Sequence, residues 1–257
     1  MVPAALLAVY LGTPAFEIAV AAVGLLMGLE WDRLCRTGAA DRPGPAAALL
    51  ALVAPVTCLA AALARFDLAG LAVLAGAAAV WAAGRLADGR RPVWRAAGAI
   101  YIGLPILALL WLRRDAEAGM ALVFWLLATV WATDIGAYAV GRAVGGPRFA
   151  PRLSPSKTWA GVVGGLAGAL LCGAAASQFV GRGAFGPPFV VGGLLGVAAE
   201  GGDLLESAVK RRFGVKDSGT LIPGHGGLFD RLDSLLIAAP VLAAAILALG
   251  ASPLARG

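Results

Sequence analysis

The feature that most constrains the fold of this chain is the repetition of apolar runs about 20 residues long. The chain has 257 residues, of which 60% are hydrophobic and 14% are charged. A helix needs about 20 apolar residues to cross a bilayer, and a soluble domain carrying so many such runs would expose large apolar patches. We therefore expect an all-α, polytopic integral membrane protein with eight to nine transmembrane helices.

Proline, glycine and arginine residues separate the apolar runs and set their boundaries. The sequence predicts spans near residues 14–29, 45–64, 68–84, 96–112, 119–141, 160–180, 188–206 and 232–250. A short run at residues 2–11 is a candidate ninth helix that barely spans. We divide the chain into N-terminal transmembrane helices, residues 1–120, and a C-terminal catalytic transmembrane region, residues 121–257.

Lysine and arginine are distributed unevenly between alternate loops, which the positive-inside rule relates to topology. The residues that fall on the less basic side are Arg65, Arg113, Arg114, Arg182 and Arg256. The remainder of the 21 lie in loops near residues 30–44, 85–95, 142–157 and 210–231. This asymmetry predicts a multi-pass protein of the cell inner membrane with its basic loops in the cytoplasm. Because such loops face anionic lipids, the net charge of +6 needs no nucleic-acid partner, and we expect none.

Acidic residues within membrane spans are costly, so each one is a candidate functional group. The candidates are Glu17, Asp134 in "WATDIGAY", and the trio Glu200, Asp203 and Glu206. The trio follows i, i+3 spacing, so one stripe of a helix is acidic and runs towards Lys210. A lone acid near a helix end is more often an interfacial group, and this is the favoured interpretation for Glu17.

A short polar segment, "SPSKT", stands directly before the apolar run at 160–180. It contains Ser154, Ser156, Lys157 and Thr158, whose hydroxyls and backbone N–H groups can cap a helix start and bind an anion there. A Ser-Pro-Ser turn that only caps a helix is the commoner explanation. The spacing of a P-loop is absent, so this segment alone does not establish a phosphate site.

The longest polar segment is "KRRFGVKDSGTLIPGHGGLFDRLD", residues 210–233. Its glycines let a backbone approach a ligand closely, and Asp230 and Asp233 stand three residues apart. Carboxylates beside lysine, arginine and glycine-rich backbone are the groups needed to hold Mg²⁺ and a polyphosphate together. The chain's single histidine, His225, can act as a base or donate a hydrogen bond to phosphate, and the sequence leaves both roles open.

These residues resemble the phosphatidate cytidylyltransferases, also called CDP-diacylglycerol synthases. The family's C-terminal signature is similar to "SAVKRRFGVKDSGTLIPGHGGLFDRLD", residues 207–233, and three further blocks resemble "DIGAYAVGRAVG", "LSPSKTWAG" and "GDLLES". The resemblance covers about residues 125–235, whereas the N-terminal half matches only in being hydrophobic. Ala160 stands where the family usually has Glu, which leaves the role of that Glu without a counterpart but keeps Lys157 in place.

The resemblance implies an enzyme that joins CTP and phosphatidate into CDP-diacylglycerol and releases pyrophosphate at an intramembrane site facing the cytoplasm. It implies Mg²⁺, with a monovalent cation such as K⁺ as a further candidate, and the implied metal ligands are Asp134, Asp203 and Asp230. The implied catalytic residues are Lys157, Lys210, Arg211, Asp217 and His225. The implied substrate-binding residues are Ser154, Lys157, Ser207, Lys210, Arg211, Lys216, Gly226, Gly227, Arg231 and Asp233. The expected partners are CTP, phosphatidate and membrane lipids, with a homodimer as a further candidate.

Two alternative functions stay open on the sequence. One is a CTP-dependent transferase or kinase that acts on another membrane lipid, such as an ether lipid or a polyprenol, because acyl and ether tails are equally apolar. The other is an ion-coupled transporter, since intramembrane acids also mark ion pathways. The transporter is less favoured because the chain has no internal repeat and its charge clusters at one cytoplasmic end.

Overall fold

The computed structural model of the chain describes residues 2–36, 43–87, 91–219 and 226–255. Nine helices and two short strands lie in this described part. In chain order they are α1 (Val2–Leu11), α2 (Ala15–Cys35), α3 (Pro45–Ala62), α4 (Phe66–Ala87), α5 (Pro92–Arg113), α6 (Gly119–Val144), β1 (Arg148–Ala150), β2 (Ser154–Thr158), α7 (Trp159–Phe179), α8 (Pro187–Arg212) and α9 (Phe229–Leu249). The predicted all-α class is confirmed, and a small hairpin is added to it.

Each predicted span coincides with one of these helices, and the short run at 2–11 is α1. Seven helices, α3 to α9, are long and apolar enough to cross a membrane. The long helix α2 carries charged residues at Glu17, Glu30, Asp32 and Arg33, which lower its hydropathy. The predicted eight to nine helices therefore correspond to nine helices in the described residues, seven of which have the length and hydropathy of a span.

Many large apolar side chains on the spanning helices point away from the protein interior. Leu59, Leu74, Val163 and Leu171 are each more than 60% exposed. Apolar surface of this extent is stable only against another apolar phase. Lipid chains can cover these faces because the backbone polar groups along the middle of a helix are hydrogen-bonded within the helix itself.

The chain divides into two compact units, and the first contains Met1–Trp111 together with Lys210–Leu232. Within it, α3 packs against both α2 and α4. A Cβ atom at Gly28 of α2 would lie 2.8 Å from the backbone of α3 at Ala51, so glycine permits the two helices to approach closely.

The first unit also contains a buried ion-pair network. Arg95 Nε lies 3.1 Å from Asp32 Oδ1, and Arg36 Nε lies 3.3 Å from Asp32 Oδ2. Asp32 and Arg95 are both almost fully buried. Buried charges are tolerated when they are paired in this way, and removing one partner would leave the other uncompensated.

The second unit contains Leu112–Val209 together with Asp233–Gly257. Its helices α6 and α7 are in close contact, because small residues line the surface between them. A Cβ atom at Gly164 would lie 2.6 Å from the carbonyl oxygen of Gly136. This is the packing of membrane helices whose backbones approach through small residues.

The antiparallel hairpin β1–β2 joins α6 to α7, with Arg148 opposite Thr158 and Ala150 opposite Ser154. The sequence did not predict these strands. Thr158 ends the hairpin and forms the N-cap of α7, where its hydroxyl accepts a hydrogen bond of 3.1 Å from the N–H of Gly161. The predicted capping role of the "SPSKT" segment is therefore confirmed for Thr158.

Candidate active site

A cavity of about 420 Å³ lies in the second unit. The residues that line it come from α6, β2, the first turns of α7, α8 and α9. Its polar lining consists of Asp134, Tyr138, Arg142, Ser156, Lys157, Thr158, Glu200, Asp203 and Ser234. Of the predicted site residues, the structure thus brings Asp134, Lys157 and Asp203 to one cavity.

Lys157 forms the central ion pairs of this cavity. Its Nζ atom lies 2.5 Å from Glu200 Oε2 and 2.8 Å from Asp203 Oδ2. The side chains of Lys157 and Glu200 are mostly buried, and that of Asp203 is about one third exposed. Two negative charges therefore surround one positive charge, so the ammonium group holds the strand β2 against the acidic face of α8.

The pKa of Lys157 reflects this environment. Burial alone lowers the pKa, since it disfavours the charged form, but the carboxylates of Asp203 and Glu200 outweigh it and hold the pKa above its ordinary value. The ammonium form therefore persists throughout the neutral range. Lys157 is placed to act as a fixed positive charge and not as a proton acceptor.

Glycine at position 165 makes room for this arrangement. A Cβ atom there would lie 2.7 Å from Glu200 Oε1, closer than an ordinary contact allows. Gly165 lies in the second turn of α7, and Thr158 caps the same helix. The N-terminal end of α7 therefore positions Lys157, which precedes the cap, and leaves room for the Glu200 side chain.

Arg142 and Tyr138 are cavity residues that the site prediction missed. Arg142 Nη1 donates a hydrogen bond of 3.2 Å to the Tyr138 hydroxyl, and both side chains are exposed at the cavity. Asp134, Tyr138 and Arg142 follow i, i+4 spacing on α6, a signal that was present in the sequence. Among the described residues, no carboxylate lies within ion-pair distance of Arg142, in contrast to Lys157.

Three carboxylates in the same unit form an acidic cluster, which consists of Asp203, Glu206 and Asp233. One oxygen from each lies within 4.8 Å of the others, with Glu206 buried and the other two half-buried. Ser207, a predicted substrate-binding residue, is buried here, and its Oγ lies 3.5 Å from Asp203 Oδ1. Asp203 therefore belongs to both the Lys157 ion pairs and the acidic cluster.

The first unit contains a second polar network, centred on Asp230. Lys210 Nζ lies 2.6 Å from Asp230 Oδ1. Asp230 Oδ2 accepts hydrogen bonds from the N–H and hydroxyl of Ser218, each 2.9 Å, and from the N–H of Gly227, 2.8 Å. In the structure, this carboxylate thus binds protein donors and fixes the segment before α9.

The structure also describes most of the remaining predicted residues. Gly226 has a φ of +80°, and a Cβ atom there would lie 2.8 Å from Asp230 Oδ2. Ser154 begins β2 and is half-buried. Four charged residues are exposed: Arg211, Lys216, Asp217 and Arg231. His225 lies outside the described residues.

Comparison with known proteins decides the family of the chain. The sequence model of the cytidylyltransferase family matches residues 1–249. This chain belongs to that family. A phosphatidate cytidylyltransferase of Brucella suis biovar 1 (strain 1330) is 42% identical over 236 residues, which is 91% of this chain and 84% of the relative.

Other relatives align over about half of the chain. A phosphatidate cytidylyltransferase of Bacillus subtilis (strain 168) is 39% identical over 148 residues, 56% of this chain and 54% of the relative. One of Haemophilus influenzae is 45% identical over 131 residues, 49% of this chain and 46% of the relative. The family match and the Brucella alignment reach well beyond residues 125–235, so the N-terminal half shares more with the family than its hydrophobicity.

Proposed function

We propose that this chain transfers the cytidylyl group of CTP to phosphatidate, forming CDP-diacylglycerol and pyrophosphate. The observation that carries the proposal is the 42% identity, over 91% of the chain, to a protein named phosphatidate cytidylyltransferase. The charged cavity between membrane helices suits these substrates. Phosphatidate leaves the bilayer only at a cost of ~0.8 kcal/mol per CH₂, whereas CTP stays in water, so the site must open to both.

The proposed reaction forms one P–O bond and breaks another. A phosphate oxygen of phosphatidate attacks the α-phosphorus of CTP, and the bond from that phosphorus to its bridging oxygen breaks. The bridging oxygen leaves with the electron pair as part of pyrophosphate. Because the second pKa of a phosphate monoester is about 6, the attacking oxygen is already deprotonated at neutral pH and needs no general base.

The barrier to this step is the approach of two polyanions, so positive charge must supply most of the catalysis. We assign Arg142 to a substrate phosphate, since its planar guanidinium has five donors and faces the cavity without a carboxylate partner among the described residues. Lys157 neutralises part of the negative charge of Glu200 and Asp203, which would otherwise repel the same substrate.

The donor set of the acidic cluster fits a magnesium ion. Mg²⁺ prefers oxygen ligands, and Asp203, Glu206 and Asp233 offer carboxylate oxygens within 4.8 Å of one another. When bound there, the ion would supply positive charge that neutralises substrate phosphates. The resemblance predicted Asp134, Asp203 and Asp230 instead, so Asp203 is common to both assignments. The additional monovalent cation stays a prediction.

We further propose that the protein lies in the inner membrane with the cavity open to the cytoplasm. The support is the basic residues that follow α6 and precede α7, since the positive-inside rule places such loops in the cytoplasm. Membrane lipids are the expected surroundings of the exposed apolar helix faces. The homodimer, and the division of the chain at residue 120, stay predictions.

One assay tests the proposed activity. Purified full-length protein in detergent is supplied with CTP, dioleoyl phosphatidate and Mg²⁺, and both pyrophosphate and lipid-linked CMP are measured. We expect pyrophosphate release that depends on phosphatidate and equals the lipid product. In parallel reactions, phosphatidate is replaced by an ether-linked analogue or by a polyprenol. A CTP-dependent kinase would be recognised because it releases CDP and not pyrophosphate. Faster turnover of either substitute, or lipid-independent release, would overturn the proposal.

A further inference from the structure

Glu30, near the end of α2, binds the first turn of α9. Its side chain is 4% exposed. The N–H of Leu228 lies 2.9 Å from Glu30 Oε1 and 2.8 Å from Oε2, and the N–H of Phe229 lies 3.2 Å from Oε2. Backbone N–H groups at a helix start lack partners within the helix, and negative charge is favourable there. A carboxylate from the N-terminal half thus caps the last helix of the chain.

Two glycines of the signature give this carboxylate its space. A Cβ atom at Gly219 would lie 2.5 Å from Glu30 Oε1, and one at Gly227 would lie 2.8 Å from Oε2. From the sequence, the glycines of this segment are expected to let a ligand approach the backbone. At Gly219 the nearest group is the Glu30 side chain, and at Gly227 the protein's own Ser218 and Gly219 lie as close as Glu30 does.

Aromatic packing beside Glu30 fixes the same helix start. The ring of Phe229 lies 5.5 Å from that of Trp31 and is stacked on Tyr101 at 6.0 Å, measured between ring centroids. Trp31 is itself fixed, since its Nε1 donates a hydrogen bond of 2.7 Å to the carbonyl of Trp94. The neighbouring residues Glu30 and Trp31 therefore hold both the backbone and the side chain of Phe229.

The capping by Glu30 continues directly into the Asp230 network. The N–H of Gly227 donates to Asp230, and the next two N–H groups along the chain donate to Glu30. Asp230 also binds Lys210 and Ser218. A change in the first turn of α9 would therefore move Asp230 and the basic side chain that it holds.

We propose that Glu30 is a positioning residue: it fixes the first turn of α9 and thereby the orientation of Asp230 and Lys210. Its kinetic consequence rests on the proposed cytidylyl transfer, whereas its structural consequence does not. Glu30 is not one of the residues that line the cavity, and its side chain is shielded from bulk solvent. It acts through the segment that it holds.

Hydrogen exchange tests the structural part in full-length protein in detergent. In Glu30→Gln, one carboxylate oxygen is replaced by an NH₂ group, which cannot accept the hydrogen bonds of the Leu228 and Phe229 N–H groups. We therefore expect hydrogen exchange at these two backbone amides to accelerate about tenfold. Asp67→Asn, which changes an exposed carboxylate of α4 in the same unit, is the control and leaves this exchange unchanged. Unaltered exchange in Glu30→Gln would overturn the proposal.

A double-mutant cycle tests the kinetic part. Gly219→Ala places a methyl group whose three nearest atoms among the described residues all belong to Glu30, so we expect kcat to fall about tenfold with KM for CTP changing less. In a Glu30→Ala background the Glu30 side chain no longer occupies this space, so Gly219→Ala should lower kcat by a smaller factor. Additive effects would contradict the proposal. If the wild type transfers no cytidylyl group, the proposed function fails, and the exchange measurement still decides the role of Glu30.

Discussion

Asp203 Oδ2 lies 2.8 Å from Lys157 Nζ, while Asp203 Oδ1 lies 3.5 Å from the hydroxyl of Ser207. One carboxylate therefore joins the ion pairs of the cavity to the acidic cluster with Glu206 and Asp233. Because its two oxygens have different partners, Asp203 is the residue on which the proposed metal binding and the electrostatics of Lys157 both depend.

We predict that Asp203→Asn yields a folded, membrane-inserted protein that has lost its Mg²⁺-dependent activity. The amide keeps the size of the side chain but removes the negative charge that a hard cation requires. Turnover is measured across a magnesium titration, with helical content as the check on folding. Asp67→Asn, an exposed carboxylate paired with Arg65, is the control and should keep wild-type turnover. Near-normal activity of Asp203→Asn would contradict the metal assignment.

We predict that Lys157→Met lowers the free energy of unfolding by on the order of 1–3 kcal/mol at neutral pH, because Glu200 and Asp203 lose their shared partner. The folded-state pKa of Lys157 lies above its ordinary value of 10.5. The stability contributed by the raised pKa is therefore fully present below that value and is lost as the pH rises through the folded-state pKa.

The measurement is the thermal unfolding midpoint of both proteins in detergent over a pH series. We expect a constant difference from about pH 7 to about pH 9, which shrinks only at more alkaline pH. Lys157→Arg keeps the positive charge, so its unfolding midpoint should stay close to that of the wild type. A difference that already shrinks near pH 8 would show that another group titrates in its place.

The helices were predictable from the sequence because hydrocarbon thickness fixes the length of each apolar run. The partners of the charged residues were not. Spacing predicted one acidic stripe from Glu200 to Glu206, yet the structure pairs Glu200 with Lys157 and places Glu206 beside Asp233. Helical spacing shows which side chains share a face, but it does not show which other element that face contacts.

Two omissions have the same physical cause. Glu30 fell in a loop of the predicted topology, because its charge ended the apolar run, whereas α2 continues to Cys35. Pairing with the backbone of α9 stabilises that charge, and the pairing is long-range in sequence. In the sequence, Arg142 contributes to the basic side of the topology, and its place at the cavity depends on how α6 packs against α7.

We predict that Arg142→Gln raises the KM for one phosphate-bearing substrate by about tenfold or more, since a charge-assisted hydrogen bond contributes roughly 1.5–3 kcal/mol. The unfolding midpoint should hardly change, because the side chain is exposed. Arg148→Gln is the matched control: it removes the same charge from the neighbouring strand β1, outside the cavity lining. Equal effects of the two variants would mean that only the general positive potential matters.

We predict that Gly226→Ala reduces activity far more than Gly214→Ala does. Both glycines have positive φ, +80° and +71°, so either alanine costs about 1–2 kcal/mol of backbone strain. Only at Gly226 would the new Cβ lie 2.8 Å from Asp230 Oδ2, whereas at Gly214 no described residue other than the chain neighbours has an atom within 4 Å. Comparing turnover and unfolding midpoints of both variants separates strain from displacement of Asp230. Similar turnover would show that the orientation of Asp230 is unimportant.

We predict that Gly136→Ala destabilises the second unit, because its Cβ would clash with the carbonyl oxygen of Gly164 and push α7 away from α6. Overpacking of this kind costs about 1–3 kcal/mol. Gly201→Ala on α8 is the matched control, since no described residue outside its own helix turn has an atom within 4 Å of the new Cβ and alanine is the better helix former. Unfolding midpoints in detergent should therefore fall for Gly136→Ala and stay level or rise for Gly201→Ala.

Because the cavity is built from residues on both α6 and β2, which leads into α7, turnover of Gly136→Ala should fall with its stability. A stable and fully active Gly136→Ala protein would mean that the cavity does not depend on the close approach of the two helices.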